Sequence, residues 1–235
     1  MMAIIADVHG NFPALRSVLN EIDQENIKDI VCLGDVSGYY CMLNECVGAL
    51  CERDVVNIMG NHDHYLVSGV RCTRSNSANV CLDYQRTVVD PENLQWLAKS
   101  PPCLEFGDVS MTHGGWNDFR DEYLYEISSK SFAHLPWTFL FSAHTHVQVL
   151  ARFSGGQVYC NPGSVGQPRD GDPRAAWAVF TGGDVILRRT AYDIEETVGA
   201  MRLAGFSSQM SANLRDGVGI GRKPDRAFVR DALTA

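Results

Sequence analysis

The chain has no apolar run of membrane-spanning length, no C-x-x-C pair, no extended basic stretch and no internal repeat. Each absence removes a class of protein. Without about 20 consecutive apolar residues, no transmembrane helix is expected. The eight cysteines, at 32, 41, 46, 51, 72, 81, 103 and 160, are even in number. They lack the paired spacing of a zinc or redox motif and are read as free thiols. Cys32 and Cys160 fall inside strand-like runs, where a thiol serves as a small core side chain. The opening segment Met1–Ala6 has no basic flank, and its apolar run stops at Asp7. No secretory signal is expected there, and a reducing cytoplasm is the expected setting. A net charge of −8 with no basic stretch argues against an extended nucleic-acid surface. A small phosphate ligand stays compatible, because a local metal charge can outweigh the global sign. The sequence leaves the oligomeric state open.

What is present is ordinary for a globular chain. With 235 residues, 45% of them hydrophobic and 20% charged, one domain with a sizeable core is expected. The N-terminal half alternates strand and helix patterns. Met2–Ala6, Ile30–Leu33 and Val55–Met59 read as strands. Asn11 caps a helix with Pro13 in its first turn, and Leu15, Val18, Leu19 and Ile22 form its apolar stripe. Asn44–Glu52 reads as a second helix. This rhythm predicts a parallel sheet covered by helices. Helix is also expected near Ala78–Arg86 and over Pro91–Ala98, within an otherwise poorly patterned middle. The later part turns strand-rich, with Ser110–Thr112, Phe139–Ala143, Gln157–Cys160, Ala175–Phe180 and Val185–Tyr192. Thr181-Gly182-Gly183-Asp184 reads as a hairpin turn. Two sheets packed face to face with helices outside is the predicted α/β architecture. The domain is expected to span residues 1–192. A helix over Ile194–Leu203 follows, then a glycine-punctuated tail from Asp216, mobile or packed as an appendage.

Five short motifs follow apolar runs: Asp7-Val8-His9, Gly34-Asp35, Gly60-Asn61-His62-Asp63, His113-Gly114 and His144-Thr145-His146. Alone, each also reads as an ordinary strand end or turn. Together they place ligand-type side chains where strands meet loops. Asp7 and His9, two apart on an extended segment, are expected to face one way and hold one metal. Asp35 can bridge two ions, since a carboxylate offers two oxygens. Asn61, His113, His144 and His146 complete seven ligands, suited to two divalent ions about 3.5–4 Å apart. Two carboxylates among neutral ligands leave such a site cationic and attractive to phosphate. The mixed nitrogen and oxygen donors favour zinc, iron or manganese. His62 is expected to face the substrate and stabilise or protonate it, with Asp63 bonded to its other ring nitrogen. His64 is expected to be exposed and His134 structural.

With these residues in place, the chain resembles the calcineurin-like metallophosphoesterase superfamily, in particular its small prokaryotic phosphodiesterase and diadenosine-tetraphosphatase-like members. The resemblance covers about residues 2–192 and includes the segment Asn161–Asp170. Ala143 stands where that pattern has glycine. The resemblance implies a four-layer α/β/β/α sandwich of two mixed sheets flanked by helices. It implies one metal on Asp7, His9, Asp35 and His146, and a second on Asp35, Asn61, His113 and His144. It further implies hydrolysis of phosphate esters by a metal-activated hydroxide.

Arg169 can bind a second phosphate or pair with Asp170 or Asp172. Arg120 follows the His113 motif closely enough to approach the site, and Tyr39 and Tyr40 can stack on a base. The expected function is a metal-dependent phosphoesterase acting on a phosphodiester or small nucleotide. The alternatives are a serine/threonine-type protein phosphatase and a catalytically silent scaffold of the same fold. The segment 68–100 fits none of these patterns, and the sequence leaves its role open; in enzymes of the kind resembled, an insertion near the metals often forms a wall or lid.

Overall fold

The computed structural model describes residues 1–233. In chain order the elements are β1 (Met2–Ile5), α1 (Phe12–Gln24), β2 (Asp29–Cys32), α2 (Leu43–Cys51), β3 (Val56–Asn57), α3 (Asn61–Ser68), α4 (Asn76–Val88), α5 (Pro91–Ala98), β4 (Cys103–Phe106), β5 (Val109–Thr112), β6 (Glu126–Ile127), α6 (Ser129–Phe132), β7 (Phe139–Phe141), β8 (Val149–Arg152), β9 (Val158–Asn161), β10 (Ala175–Phe180), β11 (Val185–Thr190), α7 (Ile194–Leu203) and β12 (Phe228–Val229). One five-stranded sheet has the order β11-β10-β1-β2-β3; the other runs β4-β5-β7-β9-β8. In the first, β1, β2 and β3 are parallel and β10 and β11 antiparallel. In the second, β5, β7 and β9 are parallel, with antiparallel edges β4 and β8. Both sheets are therefore mixed, as expected.

The period-2 alternation of a strand decides which layer each side chain joins. Ala3 and Ile5 of β1 face the helices, packing with Leu15 and Val18 of α1, Val47 of α2 and Trp177 of β10. Ile4 and Ala6 face the other way, into the seam between the sheets, against Val109, Met111, Phe141 and Phe180. The outer face of the second sheet is covered more thinly. Phe132 of the one-turn helix α6 packs there with Leu140, Phe153 and Tyr159. The short parallel pair β6 and β12 borders this layer.

Asn11 caps α1 as expected, its side chain accepting from the Ala14 amide at 3.4 Å. It also donates to the Gly166 carbonyl and accepts from Thr197 Oγ1, which ties α7 to the start of α1. The β10–β11 hairpin closes through Thr181–Asp184, with Gly182 at φ 92°. All eight cysteines are free. No helix among the described residues is long and apolar enough to cross a membrane.

One expectation is corrected. Asn61, His62 and Asp63 do not lie on an extended strand end. Gly60 caps α3, and the three residues form its first turn, because Asp63 reaches back to the Gly60 amide in a capping arrangement. Of the two arrangements expected for the tail from Asp216, the structure has the packed one. Gly171 donates to the Gly217 carbonyl, Asp225 to the Arg169 carbonyl and Phe228 to the Tyr125 carbonyl. The last two residues lie outside the described ones.

Candidate active site

The parallel pairing of β1 and β2 continues past the strands into the ligand loops. The Asp7 amide donates to the Gly34 carbonyl at 3.0 Å, and the His9 amide to the Asp35 carbonyl at 2.9 Å. Across the seam, the Ala143 amide donates to the His113 carbonyl. The segment after β9 then closes the gap between the sheets. Val165 and Gly166 donate to the Ala6 and Asp7 carbonyls, and Ser164 Oγ donates to the Asp7 carbonyl at 2.7 Å. All seven predicted ligands are thereby collected at the C-terminal ends of β1, β2, β5 and β7 and the start of α3, each buried.

Five of the seven have left-handed backbones: Asp7 (φ 53°), His9 (53°), Asp35 (57°), His144 (66°) and His146 (59°). Such residues cost about 1–3 kcal/mol each and cluster at functional sites. This conformation, rather than the pleat of an extended strand, brings Asp7 and His9 to one side. It also explains why Ala143 is tolerated, since His144 and not Ala143 takes the positive φ. Gly60 answers to a different constraint. A Cβ there would sit 2.1 Å from Asp35 Oδ1, so only glycine lets the start of α3 approach that carboxylate.

Donor atoms form overlapping groups. Asp7, His9 and His146 make one; Asp35, His113 and His144 make another, each with its donors within 4.8 Å of one another. A third group joins His9, Asp35 and His62. Asp35 Oδ2 lies 3.8 Å from His9 Nε2 and 3.4 Å from His113 Nε2, between the first two groups. Asn61 Oδ1 faces His113 Nε2 at 3.1 Å. The imidazoles are fixed from behind. Nδ1 of His9, His113 and His146 donates to the carbonyls of Ser37, Leu33 and Gln167, which turns each Nε2 inward.

Both oxygens of Asp7, Asp35 Oδ2 and His144 Nε2 are buried without a hydrogen-bond partner. Buried charge without a partner is costly, and a cation is the natural remedy. Burial pushes the Asp7 carboxyl up to about 8, against the pull of His113. Burial acts on Asp35 in the same sense, but His113 and His62 outweigh it and hold that carboxyl well below its usual range. Burial keeps His9, His144 and His146 neutral, which is the form that ligates metal. The mixed nitrogen and oxygen donors fit a divalent metal site.

The remaining predicted residues divide. His62 is buried, with Nε2 4.0 Å from Asp35 Oδ2 and Nδ1 unpartnered. The expected Asp63–His62 hydrogen bond is not formed. Asp63 Oδ2 instead accepts from the Asp35 amide at 2.9 Å, and Oδ1 from the Ser37 amide and Oγ, each at 2.9 Å. Asp63 therefore anchors the loop that carries Asp35. Arg169 is buried beside the cluster and pairs with neither neighbour suggested for it: Asp170 bonds Arg189 and Asp172 bonds Arg174. Its guanidinium lies 5.5 Å from the Tyr39 ring centroid and donates to Gln167 Oε1. Tyr39 contacts His9 edgewise and His62 at a tilt, at 4.8 and 5.0 Å between ring centroids. Tyr40 is fully buried, so base stacking is closed to it.

Arg120 is not in the cleft. Its loop folds back because Asp118 Oδ1 caps the Arg120 and Asp121 amides, and its side chain pairs with Asp121. Arg74 and Arg222 line the cleft instead, with Tyr39, His62, Tyr123 and Arg169. Sequence reasoning missed both. Arg74 belongs to the unpatterned middle segment, and Arg222 to the tail. Gln85 of α4 was also missed. It accepts from the Gly38 amide and donates to the Tyr40 carbonyl, bracing the loop behind His9. His64 is part-buried, and His134 is exposed on the far sheet's outer side.

A sequence profile described as the calcineurin-like phosphoesterase superfamily domain matches residues 1–182. An uncharacterized protein of Methanocaldococcus jannaschii is 29% identical over 223 residues, covering 83% of this chain and 89% of that one. The crystal structure of a metallophosphoesterase from Sphaerobacter thermophilus superposes with a TM-score of 0.82 at 31% identity, over 92% of this chain and 98% of that chain. A hypothetical protein from Pyrococcus horikoshii shares the fold, with a TM-score of 0.76 at 18% identity over 92% and 99%.

Proposed function

Because the chain belongs to the calcineurin-like phosphoesterase superfamily, we propose that it hydrolyses a small phosphodiester or nucleotide with two divalent metal ions in the His/Asp cluster. The observation that carries this reading is Asp35, whose unpartnered Oδ2 lies 3.8 Å from His9 Nε2 on one side and 3.4 Å from His113 Nε2 on the other. One ion is assigned to Asp7, His9, Asp35 and His146, the other to Asp35, Asn61, His113 and His144. When bound, such a pair supplies Lewis-acid activation of water and charge neutralisation of the phosphoryl oxygens.

The chain's own residues supply the rest. The His62 amide donates to Asp35 Oδ1 at 2.8 Å, so the start of α3 orients that carboxylate and leaves Oδ2 free for the clusters. His62 is the proton donor in this reading. Burial lowers its imidazole below the ordinary value while Asp35 pulls the other way. An arriving phosphate adds negative charge and favours the protonated form, so the proton is gained when a leaving oxygen needs it. Asp63 holds the Asp35 loop, and Arg169 adds positive charge beside the cluster.

The test is turnover of bis(p-nitrophenyl) phosphate by purified protein loaded with manganese, iron, zinc, cobalt or nickel, with metal content measured in parallel. Two equivalents of metal and hydrolysis support the reading. No turnover with any of them overturns it in favour of a scaffold. A phosphopeptide cleaved far faster than every nucleotide would replace it with a protein phosphatase.

A further inference from the structure

Three guanidinium groups line one cleft beside the His/Asp cluster, and two of them have no carboxylate partner among the described residues. Arg169 is 6% exposed, and no ion pair forms at it among the described residues. Arg222 likewise enters no ion pair among the described residues, and Arg74 comes only within 3.8 Å of Asp121. Arg74 and Arg222 are exposed, but a guanidinium buried without an anion, as at Arg169, is costly, and this calls for an anionic partner from outside the chain. That partner must approach the cluster, because the cleft lined by the three arginines also exposes Asn61 and His62 to it.

We propose that Arg74, Arg169 and Arg222 form a subsite for a second, non-reacting phosphate of the substrate, completed by the C-terminal segment. This rests on the phosphoesterase reading for the first phosphate. Arg222 lies outside the part of the chain matched by the superfamily profile, which ends at residue 182. The segment that carries it is built into the site. Gly217 takes φ 61°, and a Cβ there would meet the Asp172 backbone at 2.6 Å. The Asp225 amide donates to the Arg169 carbonyl at 2.7 Å, so Arg222 and Arg169 are held by the same short crossing. Gly219 sits between their side chains, where a Cβ would lie 3.1 Å from Arg222 Cδ and 3.5 Å from Arg169 Nε. From the opposite wall, Arg74 lies over the Tyr123 ring, 5.3 Å from its centroid, which holds its guanidinium at the cleft mouth.

The guanidinium fork suits phosphate oxygens, and each charge-assisted contact of this kind is worth about 10- to 100-fold in affinity. A diester with uncharged arms leaves the three arginines unused. A substrate with two phosphates occupies both halves of the cleft.

The experiment compares ligand pairs that differ by one phosphate: adenosine mono- and diphosphate for an adjacent group, and thymidine 5′-monophosphate and 3′,5′-bisphosphate for a separated one. Binding to the manganese-loaded protein is read by calorimetry. Wild type is expected to bind one member with two phosphates at least about 10-fold more tightly than its partner. Arg222→Ala and Arg74→Ala are expected to abolish most of that difference, and Arg222→Lys to restore part of it. Arg230→Ala, at an exposed pair with Glu126, serves as the control for general charge loss. Equal affinities within both pairs in wild type overturn the subsite, as does a preference that survives Arg74→Ala/Arg222→Ala. Hydrolysis of bis(p-nitrophenyl) phosphate separates the two levels: if it proceeds while both pairs bind equally, only the subsite falls.

Discussion

Asp63→Asn perturbs the loop that carries the shared ligand. The carboxylate accepts three well-placed hydrogen bonds, from the Asp35 amide, the Ser37 amide and Ser37 Oγ, each at 2.9 Å. Longer contacts from the Val36 and Gly60 amides reach 3.4 Å. The asparagine keeps one acceptor oxygen and turns an NH2 toward the other set of donors. Whichever oxygen remains, at least one buried amide loses its acceptor and faces another donor. That costs about 2–3 kcal/mol, the scale for a hydrogen bond to a charged group with its partner left buried. For a domain of this size the melting midpoint should fall by about 5–10 °C. The same loop provides Asp35 and the Ser37 carbonyl that receives His9 Nδ1 at 2.8 Å. Metal content should therefore fall together with stability. Differential scanning calorimetry and elemental analysis of the purified variant test both. A variant that melts with wild type and keeps its full metal content refutes the anchoring role. If its kcat alone changes, with a shifted pH profile, Asp63 acts on His62 after all.

Asp35→Asn weakens the side chain proposed to bridge the two ions, between His9 and His113, and metal content and activity should drop together; two unchanged equivalents of metal would contradict the bridging assignment. His62→Ala should keep metal near wild type and lower kcat by about 10²–10⁴-fold, and loss of metal on elemental analysis would make His62 a ligand instead. Gly60→Ala brings a Cβ within 2.1 Å of Asp35 Oδ1, so metal content should fall even though no ligand is changed; a fully loaded Gly60→Ala protein would show that α3 can shift to make room.

The candidate ligand residues were legible because each motif sits directly after an apolar run, and a strand end is a local pattern. The strand–helix rhythm of the N-terminal half and the strand-rich later part were equally local, and two sheets packed face to face with helices outside were read from them, whereas the mixed character of both sheets came with the family resemblance. The sequence likewise placed Asn11 as a cap and Thr181–Asp184 as a turn, since both depend on side chains a few residues apart. Tertiary structure alone decided what those residues face. The left-handed backbones of Asp7, His9, Asp35, His144 and His146 arise from loops locked across strands, and no residue type announces them. Asp63 was read as a partner for its neighbour His62, because adjacency is visible in a sequence and the capping turn of α3 that points it at the Asp35 loop is not. Arg120 is near His113 in sequence, yet its loop folds away. Arg74 and Arg222 are far from every motif, yet they face the cluster, because the middle segment and the tail return to the same cleft. Burial completes the difference: the same carboxyl type is driven up at Asp7 by burial and held down at Asp35 by the imidazoles around it, a property of neighbours in space rather than along the chain.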